Sequence, residues 1–271
     1  MLRRLEAASQ RYLTPCGDGH VVWRAWGAGS PLVLLHGGTG SWRHWVLNIE
    51  ALAQRHLVLV PDLPGMGESS LLPSGGDIWT IAAVVANGID ALLGAGADYD
   101  LVGFSFGAVV AGHVATASPG RVRSLTFVGA GGLGLSRSPI PYVKVRDKMG
   151  ATRLEAHRQN LSALMFADPA RIDDLALEIQ AFNSDHARVF SGDVMTPAAL
   201  RDILERRNIE CPLRVVYGER DAIAWPYLQE REDFFRAVRP DVDFRLIEGV
   251  GHWVTYEAAE RFNSLLECLL Q

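Results

Sequence analysis

The sequence predicts an α/β fold with a mostly parallel central sheet, flanking helices and a helical insertion. Short apolar runs alternate with helical stretches from residue 21 to residue 128, which is typical of parallel strands joined by right-handed crossovers. Two further apolar runs, 213–217 and 243–247, resume the strand pattern near the C-terminus. Between these regions, residues 131–208 carry helical periodicity without strand signals, and this predicts an insertion made of helices.

The composition is that of an ordinary water-soluble globular protein. The 271 residues are 48% hydrophobic and 21% charged, and no apolar run has the length of a membrane span. The net charge of −5 gives no overall attraction to nucleic acid or to an anionic membrane, so neither partner is expected. The N-terminal segment lacks the apolar stretch of a signal peptide, which predicts a cytoplasmic protein.

Three cysteines, Cys16, Cys211 and Cys268, lie far apart in the sequence. Their odd number and wide spacing match neither a disulfide framework nor a set of metal ligands. We therefore expect reduced thiols that pack in the interior, and no metal site.

The predicted core elements follow in order from residue 21. Residues 21–26 alternate in polarity like an edge strand, and a turn at 27–31 leads into a short buried strand at 32–35. Ser41 is placed to cap a helix over 41–54. The remaining predicted elements are strand 57–60, helix 78–93, strand 99–104, helix 106–116, strand 124–128 and a final helix over 257–270.

The insertion is predicted to form a cap over the core. It contains more large apolar side chains than isolated helices could shield from water, so one apolar face must cover another part of the molecule. These side chains are Leu161, Leu164, Met165, Phe166, Ile179, Phe182 and Phe190. Turn residues divide the insertion into helices at 141–149, 153–166, 170–189 and 197–206. The predicted organisation is one domain, with a core of 1–130 and 209–271 and a cap of 131–208.

A Gly-x-Ser-x-Gly motif, Gly103 to Gly107, lies where a predicted strand turns directly into a helix. Such a turn forces its central residue into a strained backbone conformation, and the two glycines remove the Cβ atoms that would otherwise clash. Ser105 is thereby raised to the tip of the turn, at a helix N-terminus whose free N–H groups favour developing negative charge. We interpret Ser105 as a nucleophile; the alternative is a tight structural turn.

A nucleophilic serine needs a base and a residue that orients the base. Asp221 follows strand 213–217, and His252 follows strand 243–247. Because the carboxyl ends of parallel strands share one edge of a sheet, both side chains are predicted to meet Ser105 there. His252 is expected to accept the serine proton, and Asp221 to hold its imidazole. Taken singly, each could equally be an ordinary loop residue.

The same edge offers two backbone donors for an oxyanion. One is the N–H of Phe106, directly after the serine, and the other is assigned to Gly38, because a residue without Cβ lets substrate approach closely. His36 is expected to hold this loop from beneath, and Gly37 and Phe104 are expected to contact substrate. A site of this kind needs only water as its second reactant, so no cofactor is expected.

Five segments of the chain stand where the α/β-hydrolase family carries its signature motifs. They are 36–38, 62–69, 103–107, 218–221 and 251–252. The chain therefore resembles an α/β-hydrolase with a helical cap over nearly its whole length. The resemblance implies the fold, the chain order Ser, Asp, His and an acyl-bond hydrolase, but it does not specify the substrate.

A narrower resemblance links the chain to hydrolases that cleave carbon–carbon bonds of vinylogous diketone ring-fission products. It rests on residues 131–134 and on the sequence around Trp253. In those enzymes a cap arginine and the Trp beside the catalytic His hold the substrate, which maps these roles onto Arg188 and Trp253. The chain differs from them in carrying Phe104 before the serine and a shorter loop at 36–40. The direction of the Arg188 side chain is left open by the sequence.

We expect a cap-bearing serine hydrolase that acts on a small carboxylic ester or a related acyl bond. The first alternative is carbon–carbon hydrolysis of a 2-hydroxy-6-oxo-dienoate ring-fission product. The second is a ligand receptor that keeps the fold and the covered pocket without catalysis. In each case the expected partner is a small molecule, and the sequence is compatible with a homo-oligomer.

Overall fold

The α/β class predicted from the sequence is confirmed by the computed structural model, which describes residues 1–73, 76–207 and 209–271. In these residues one sheet of eight strands has the order β1-β2-β4-β3-β5-β6-β7-β8. Strand β2 runs antiparallel to both of its neighbours, and every other neighbouring pair is parallel. The strands are β1 (Gln10–Cys16), β2 (Gly19–Trp26), β3 (Ser30–Leu35), β4 (His56–Pro61), β5 (Tyr99–Phe104), β6 (Val122–Val128), β7 (Leu213–Gly218) and β8 (Asp243–Ile247).

The central strands form because their side chains are apolar on both faces. Every residue of β5 is buried, and so are the last four residues of β3, as expected of parallel strands that are covered by helices on both sides. Leu35 of β3 pairs with Gly103 of β5, and Phe104 pairs with Val128 of β6. These three strands therefore end at the same edge of the sheet, and the loops that follow them converge there.

Helices cover both faces of the sheet. They are α1 (Leu2–Ala8), α2 (Ile49–Leu52), α3 (Ile78–Leu93), α4 (Phe106–Ala117), α5 (Gly150–Asn160), α6 (Asp174–His186), α7 (Ser191–Val194), α8 (Ala199–Arg206), α9 (Leu228–Val238), α10 (Val254–Glu257) and α11 (Ala259–Leu269). Alternate residues of β3 enter two hydrophobic clusters. Val33 and Leu35 pack with α3 and α4, whereas Leu32 and Leu34 pack with α2 and α11.

The region between β6 and β7 is helical, as predicted, except in its first part. Helix α5 continues into a π-helical turn at Leu161–Met165, and α6, α7 and α8 follow. The predicted helix at 141–149 is wrong, because the stretch is irregular. Tyr142, Val143 and Val145 lower the helix propensity of this stretch, because aromatic and β-branched side chains lose rotamer freedom in a helix. Of the apolar side chains predicted to need cover, Leu161, Met165, Phe166 and Ile179 are buried, whereas Phe190 is exposed.

The last helix of this region packs on the core. A Cβ on Gly112 of α4 would lie 2.7 Å from Leu200 Cδ1, and a Cβ on Gly132 would lie 3.3 Å from the Leu200 backbone nitrogen. Leu200 and Ile203 are buried in the same cluster as α4. Helix α8 thus fastens the insertion to α4. Asn208, the predicted end of the insertion, lies outside the described residues.

Other elements differ locally from the predictions. In place of one helix over 41–54, the chain forms a 3₁₀ turn, Trp42–Trp45, and then α2. All four side chains of this turn are buried. The predicted helix, with one apolar face, would have left the side chains of its opposite face exposed to solvent. The predicted final helix is divided at Ala258 into α10 and α11. Strand β1 was not predicted, because its sequence does not alternate between apolar and polar residues. Most of its side chains are exposed.

The three cysteines differ in their exposure to solvent. Cys16 is buried and Cys211 half-buried, but Cys268 is exposed, because the core-facing side of α11 is formed by Phe262, Leu266 and Leu269. Within the described ranges, no helix combines the length and the apolar character needed to cross a membrane.

Candidate active site

Ser105 lies at the turn from β5 into α4. Its φ of 53° and ψ of −113° form a backbone conformation that L-residues rarely adopt. The turn closes because the flanking glycines have no side chains. A Cβ on Gly103 would lie 2.3 Å from the Gly107 carbonyl oxygen, and a Cβ on Gly107 would lie 2.4 Å from the Leu35 carbonyl oxygen. Both glycines are therefore required by close backbone contacts, for the reason predicted from the motif.

Hydrogen bonds join the three predicted side chains in one series. Ser105 Oγ lies 2.9 Å from His252 Nε2. His252 Nδ1 lies 2.9 Å from Oδ1 and 2.8 Å from Oδ2 of Asp221. The carboxylate is an acceptor, so Nδ1 carries the proton and Nε2 can accept one from the serine. Asp221 and His252 are buried, whereas Ser105 is partly accessible.

The position of Asp221 is fixed by the backbone around it. Its Oδ1 also accepts the Ile223 N–H over 2.9 Å. Gly129, directly after β6, has a φ of 54°, and a Cβ on it would lie 3.0 Å from both Asp221 Oδ2 and His252 Nδ1. Sequence reasoning missed Gly129, although a glycine that ends a buried strand at the site edge is a usable signal.

Two other carboxylates that could have held His252 have different partners. Asp147 pairs with Lys148, and Asp193 accepts the Phe190 N–H. Asp221 is therefore the carboxylate that the structure brings to the histidine.

Glu257 belongs to the sequence around Trp253 that carries the narrower resemblance, but no role was predicted for it. Its buried carboxylate accepts the backbone N–H groups of Gly251 over 2.6 Å, Ala167 over 3.1 Å and Asp168 over 2.8 Å. It thereby ties the residue before His252 to the region between β6 and β7. The signal was an acidic residue within the otherwise apolar stretch around Trp253.

The loop after β3 lies beside the serine. A Cβ on Gly37 would lie 3.3 Å from Ser105 Cβ, and a Cβ on Gly38 would lie 3.5 Å from Phe106 Cβ. The Gly37 N–H donates to Nδ1 of His44 over 3.2 Å, so it is not the oxyanion donor, and the assignment to the Gly38 N–H is kept. The two amides assigned to an oxyanion, those of Gly38 and Phe106, thus belong to neighbouring residues in space.

His36 orients this loop from beneath, in the supporting position expected for it. Its Nε2 accepts the Leu63 N–H over 2.8 Å, so Nδ1 carries the proton and donates to the Gly37 carbonyl over 2.7 Å. That carbonyl belongs to the same peptide group as the Gly38 N–H. Burial lowers the pKa of His36 to about 4, which keeps the imidazole neutral near neutral pH.

Asp62 ties the loop after β4 to the 3₁₀ turn. Its Oδ1 accepts the Trp42 N–H over 2.8 Å, and its Oδ2 accepts the Glu68 N–H over 2.9 Å. Burial raises the pKa of Asp62 to about 6, although both N–H groups favour the charged form.

Arg188, the cap residue assigned to substrate binding, lies at the surface. The side chain is exposed, and its Nη2 donates to the Ser69 carbonyl. Its backbone N–H donates to the Gly65 carbonyl over 2.9 Å. Carbonyls of the loop after β4 thus hold Arg188 at the surface, which favours the outward one of the two orientations that the sequence left open.

Phe104, Gly37 and Trp253 also differ from the expected substrate contacts. All three are buried, and Phe104 and Trp253 are 0% and 1% exposed. The Phe104 ring packs on His252 with centroids 5.0 Å apart, and Trp253 Nε1 donates to the His44 carbonyl over 3.1 Å. These aromatic side chains pack against His252 and His44. Because they are almost fully buried, they have little surface left to contact a ligand.

Two helices of the insertion, α6 and α7, lie close to the core near the site. A Cβ on Gly38 would lie 4.0 Å from Oγ of Ser191, the first residue of α7. Ser41 Oγ donates to Asn183 Oδ1 of α6 over 2.6 Å. A separate cavity of about 520 Å³ lies between α3, α4, α7 and α8, where Trp79 and His113 line it; the triad residues do not.

Comparison with known proteins identifies the family. The family model described as "Alpha/beta hydrolase family" matches residues 32–265. A 2-hydroxymuconate semialdehyde hydrolase of Pseudomonas sp. (strain CF600) is 38% identical over 264 residues, which cover 89% of this chain and 86% of that protein. The dihydrolipoyllysine-residue acetyltransferase component of the acetoin cleaving system of Pseudomonas putida is 31% identical over 254 residues. This second match covers 90% of the chain and spans 64% of that relative's length.

Solved structures share the same fold. The crystal structure of the esterase RhEst1 from Rhodococcus sp. ECU1013 superposes with a TM-score of 0.77 at 21% identity, covering 97% of this chain and 98% of that one. At this identity the likeness concerns the fold alone. The family model matches most of the chain, and a relative is 38% identical over most of its length. The chain therefore belongs to the alpha/beta hydrolase family and is a hydrolase of that fold.

Proposed function

We propose that the protein hydrolyses a small carboxylic ester, or a related acyl bond, through an acyl-enzyme on Ser105. One observation carries the proposal. A serine on a strained strand-to-helix turn lies 2.9 Å from the free nitrogen of a buried histidine, whose other nitrogen is held by a buried carboxylate. This arrangement supplies a nucleophile, a base and the group that orients the base.

In the acylation step, Ser105 Oγ attacks the ester carbonyl carbon while its proton passes to His252 Nε2. The carbonyl π electrons move to oxygen, and the resulting oxyanion is stabilised by the N–H groups of Gly38 and Phe106. Loss of one such donor lowers turnover by about 10²- to 10³-fold in enzymes of this kind. The intermediate collapses, the alkoxide leaves with the proton from His252, and the acyl group stays on Ser105.

Deacylation repeats the sequence with water as nucleophile. His252 accepts a proton from the water, whose oxygen attacks the acyl carbon, and the second tetrahedral intermediate expels Ser105 Oγ. The proton returns from His252 to the serine, and the carboxylic acid is released. Asp221 stabilises the imidazolium in both steps and does not itself take up the proton. No cofactor takes part in this scheme.

The insertion is proposed to act as a cap that covers the site. The position of Ser191 close to Gly38 supports this role, since a Cβ on Gly38 would lie 4.0 Å from Ser191 Oγ. A covered site excludes water, which strengthens the oxyanion contacts and favours apolar acyl groups.

Carbon–carbon hydrolysis is a second candidate because of the relatives. The protein that is 38% identical to this chain is a 2-hydroxymuconate semialdehyde hydrolase. The same serine and histidine could serve that reaction. The exposed Arg188 gives it no support, because a substrate carboxylate would then lack the partner expected from the cap.

The two candidates are distinguished by parallel assays. The enzyme is given p-nitrophenyl acetate and butyrate in one series, and a 2-hydroxy-6-oxo-dienoate in the other, with Ser105→Ala as the control in both. The ester proposal predicts Ser105-dependent release of p-nitrophenol. A kcat/KM for the dienoate that is about 100-fold higher or more would assign the carbon–carbon reaction instead. Saturable binding of both compounds without turnover would indicate a receptor.

A further inference from the structure

His44 is a buried histidine that the proposed reaction leaves unused. It lies in the 3₁₀ turn Trp42–Trp45 and is 1% exposed. Its ring meets those of Phe104 and Trp253 edge-on, with centroids 5.6 and 5.2 Å away. Burial, followed by the nearby His36 and His252, lowers the pKa of His44 well below its usual value. The imidazole is therefore neutral near neutral pH, with one donor and one acceptor nitrogen.

The acceptor nitrogen of His44 is Nδ1. The Gly37 N–H donates to it over 3.2 Å, so the ring proton resides on Nε2. Gly40 makes this approach feasible, because a Cβ there would lie 2.6 Å from Cε1 and 2.7 Å from Nδ1 of His44. The ring thus fixes the peptide group directly before the one that carries the Gly38 N–H.

The backbone carbonyl of His44 receives two donors from a distant part of the chain. Trp253 Nε1 donates over 3.1 Å, and Thr255 Oγ1 donates over 3.2 Å. Trp253 follows His252 directly, and Thr255 lies three residues after His252. One residue therefore connects the loop of the candidate oxyanion donor with the segment that carries the base.

We propose that His44 is a positioning residue that sets the Gly37–Gly38 loop relative to His252. This inference rests on the acyl-transfer function proposed above, and His44 touches none of the reacting atoms. Without an acceptor at Nδ1, the buried Gly37 N–H loses its partner, and the loop must rotate to find another. A misplacement of about 1 Å in such a site can lower turnover by about 100-fold.

Two substitutions separate positioning from packing. In His44→Asn the amide oxygen can take the place of Nδ1, whereas in His44→Gln the amide reaches toward the place of Nε2 and leaves the Gly37 N–H without an acceptor. His113→Gln is the control, since His113 is an equally buried histidine on α4 whose Nδ1 contacts the Val109 carbonyl.

The readout is the separation of kcat from KM with p-nitrophenyl acetate. We expect His44→Gln to lower kcat by about 10- to 100-fold with KM changed less than about threefold. His44→Asn and His113→Gln should keep kcat within about threefold of wild type. Unchanged kcat in His44→Gln, or an equal loss in His44→Asn, would overturn the proposal.

A second measurement needs neither turnover nor a variant. Hydrogen exchange of the Gly37 amide, followed by NMR in the wild-type protein, should be slow because the amide donates to His44. Exchange as fast as that of an exposed loop amide would overturn the assignment of His44. If the wild type cleaves neither ester nor dienoate while this amide remains protected, the proposed function fails and the His44 contact stands.

Discussion

Ser105 Oγ and His252 Nε2 lie 2.9 Å apart, although 147 positions separate the two residues in the sequence. The parallel strand order produces this contact. Strand β5 ends at Phe104, directly before Ser105, and β8 precedes His252 at the edge of the sheet. Strand β7 lies next to β8, and Asp221 stands three residues after β7 ends. The three side chains of the site therefore follow the ends of parallel strands. Their positions depend on the backbone contacts around them as well as on the hydrogen bonds between them.

Asp221→Asn should lower kcat for p-nitrophenyl acetate by about 10³- to 10⁴-fold, because an amide favours the wrong tautomer of His252. The Ile223 N–H can still donate to the amide oxygen, so the melting temperature should change little. Kinetics and thermal melting followed by circular dichroism check both statements. Turnover near the wild-type rate would remove Asp221 from the proposed mechanism.

Gly107→Ala should destabilise the fold, since the added Cβ would lie 2.4 Å from the Leu35 carbonyl oxygen. Forcing a methyl group into a close-packed position costs about 1–3 kcal/mol or more. Gly192→Ala is the matched control, because a Cβ there has nothing within 4 Å, and its change should stay within about 0.5 kcal/mol. Urea unfolding of both variants measures the difference. Equal stability of the two would show that the turn tolerates a side chain at Gly107.

Asp62 makes stability depend on pH in a defined direction. Its pKa of about 6 in the folded protein lies above the ordinary value of 3.8, so the folded state holds this proton more tightly than the unfolded state. Its contribution to the free energy of unfolding is therefore fully present below about pH 4 and is lost as the pH rises through about 6.

The test compares the free energy of unfolding of the wild type with that of Asp62→Asn across this range. From about pH 4 to about pH 7 the wild type should lose up to about 3 kcal/mol relative to the variant, at about 1.4 kcal/mol per pKa unit. A difference that is flat, or that grows in favour of the wild type with rising pH, would contradict the assigned direction of the Asp62 pKa.

Arg188→Ala should change kcat/KM by less than about threefold for neutral esters and for a carboxylated dienoate alike, because its guanidinium is bound at the surface to the Ser69 carbonyl. Steady-state kinetics with the two substrate classes test this. A KM increase of about tenfold or more that is confined to the dienoate would restore an inward role for Arg188 and favour carbon–carbon hydrolysis.

Much of the sheet edge could be predicted because each part depends on a local pattern and a general rule of topology. The spacing of Gly103, Ser105 and Gly107 predicts the turn, and the ends of two later strands predict the places of Asp221 and His252. The structure adds distances between these groups but does not change their order.

The directions of side chains could not be predicted, because they depend on contacts between distant segments. Arg188 is held by the loop after β4, and Phe104 and Trp253 are used in packing. The contact of His44 with the segment after His252 depends equally on tertiary structure. The irregular stretch at 141–149 is different, since its aromatic and β-branched residues of low helix propensity were visible in the sequence and outweigh its periodicity.

Covalent labelling tests most directly whether Ser105 is the nucleophile. The protein is incubated with an alkyl fluorophosphonate, whose phosphorus accepts a nucleophilic serine and releases fluoride, and the digested product is examined by mass spectrometry. We expect about one equivalent of adduct, located on Ser105, together with loss of esterase activity, and no adduct in Ser105→Ala. Unmodified Ser105 after prolonged incubation, or equal labelling of Ser105→Ala, would contradict the assignment of Ser105 as the nucleophile.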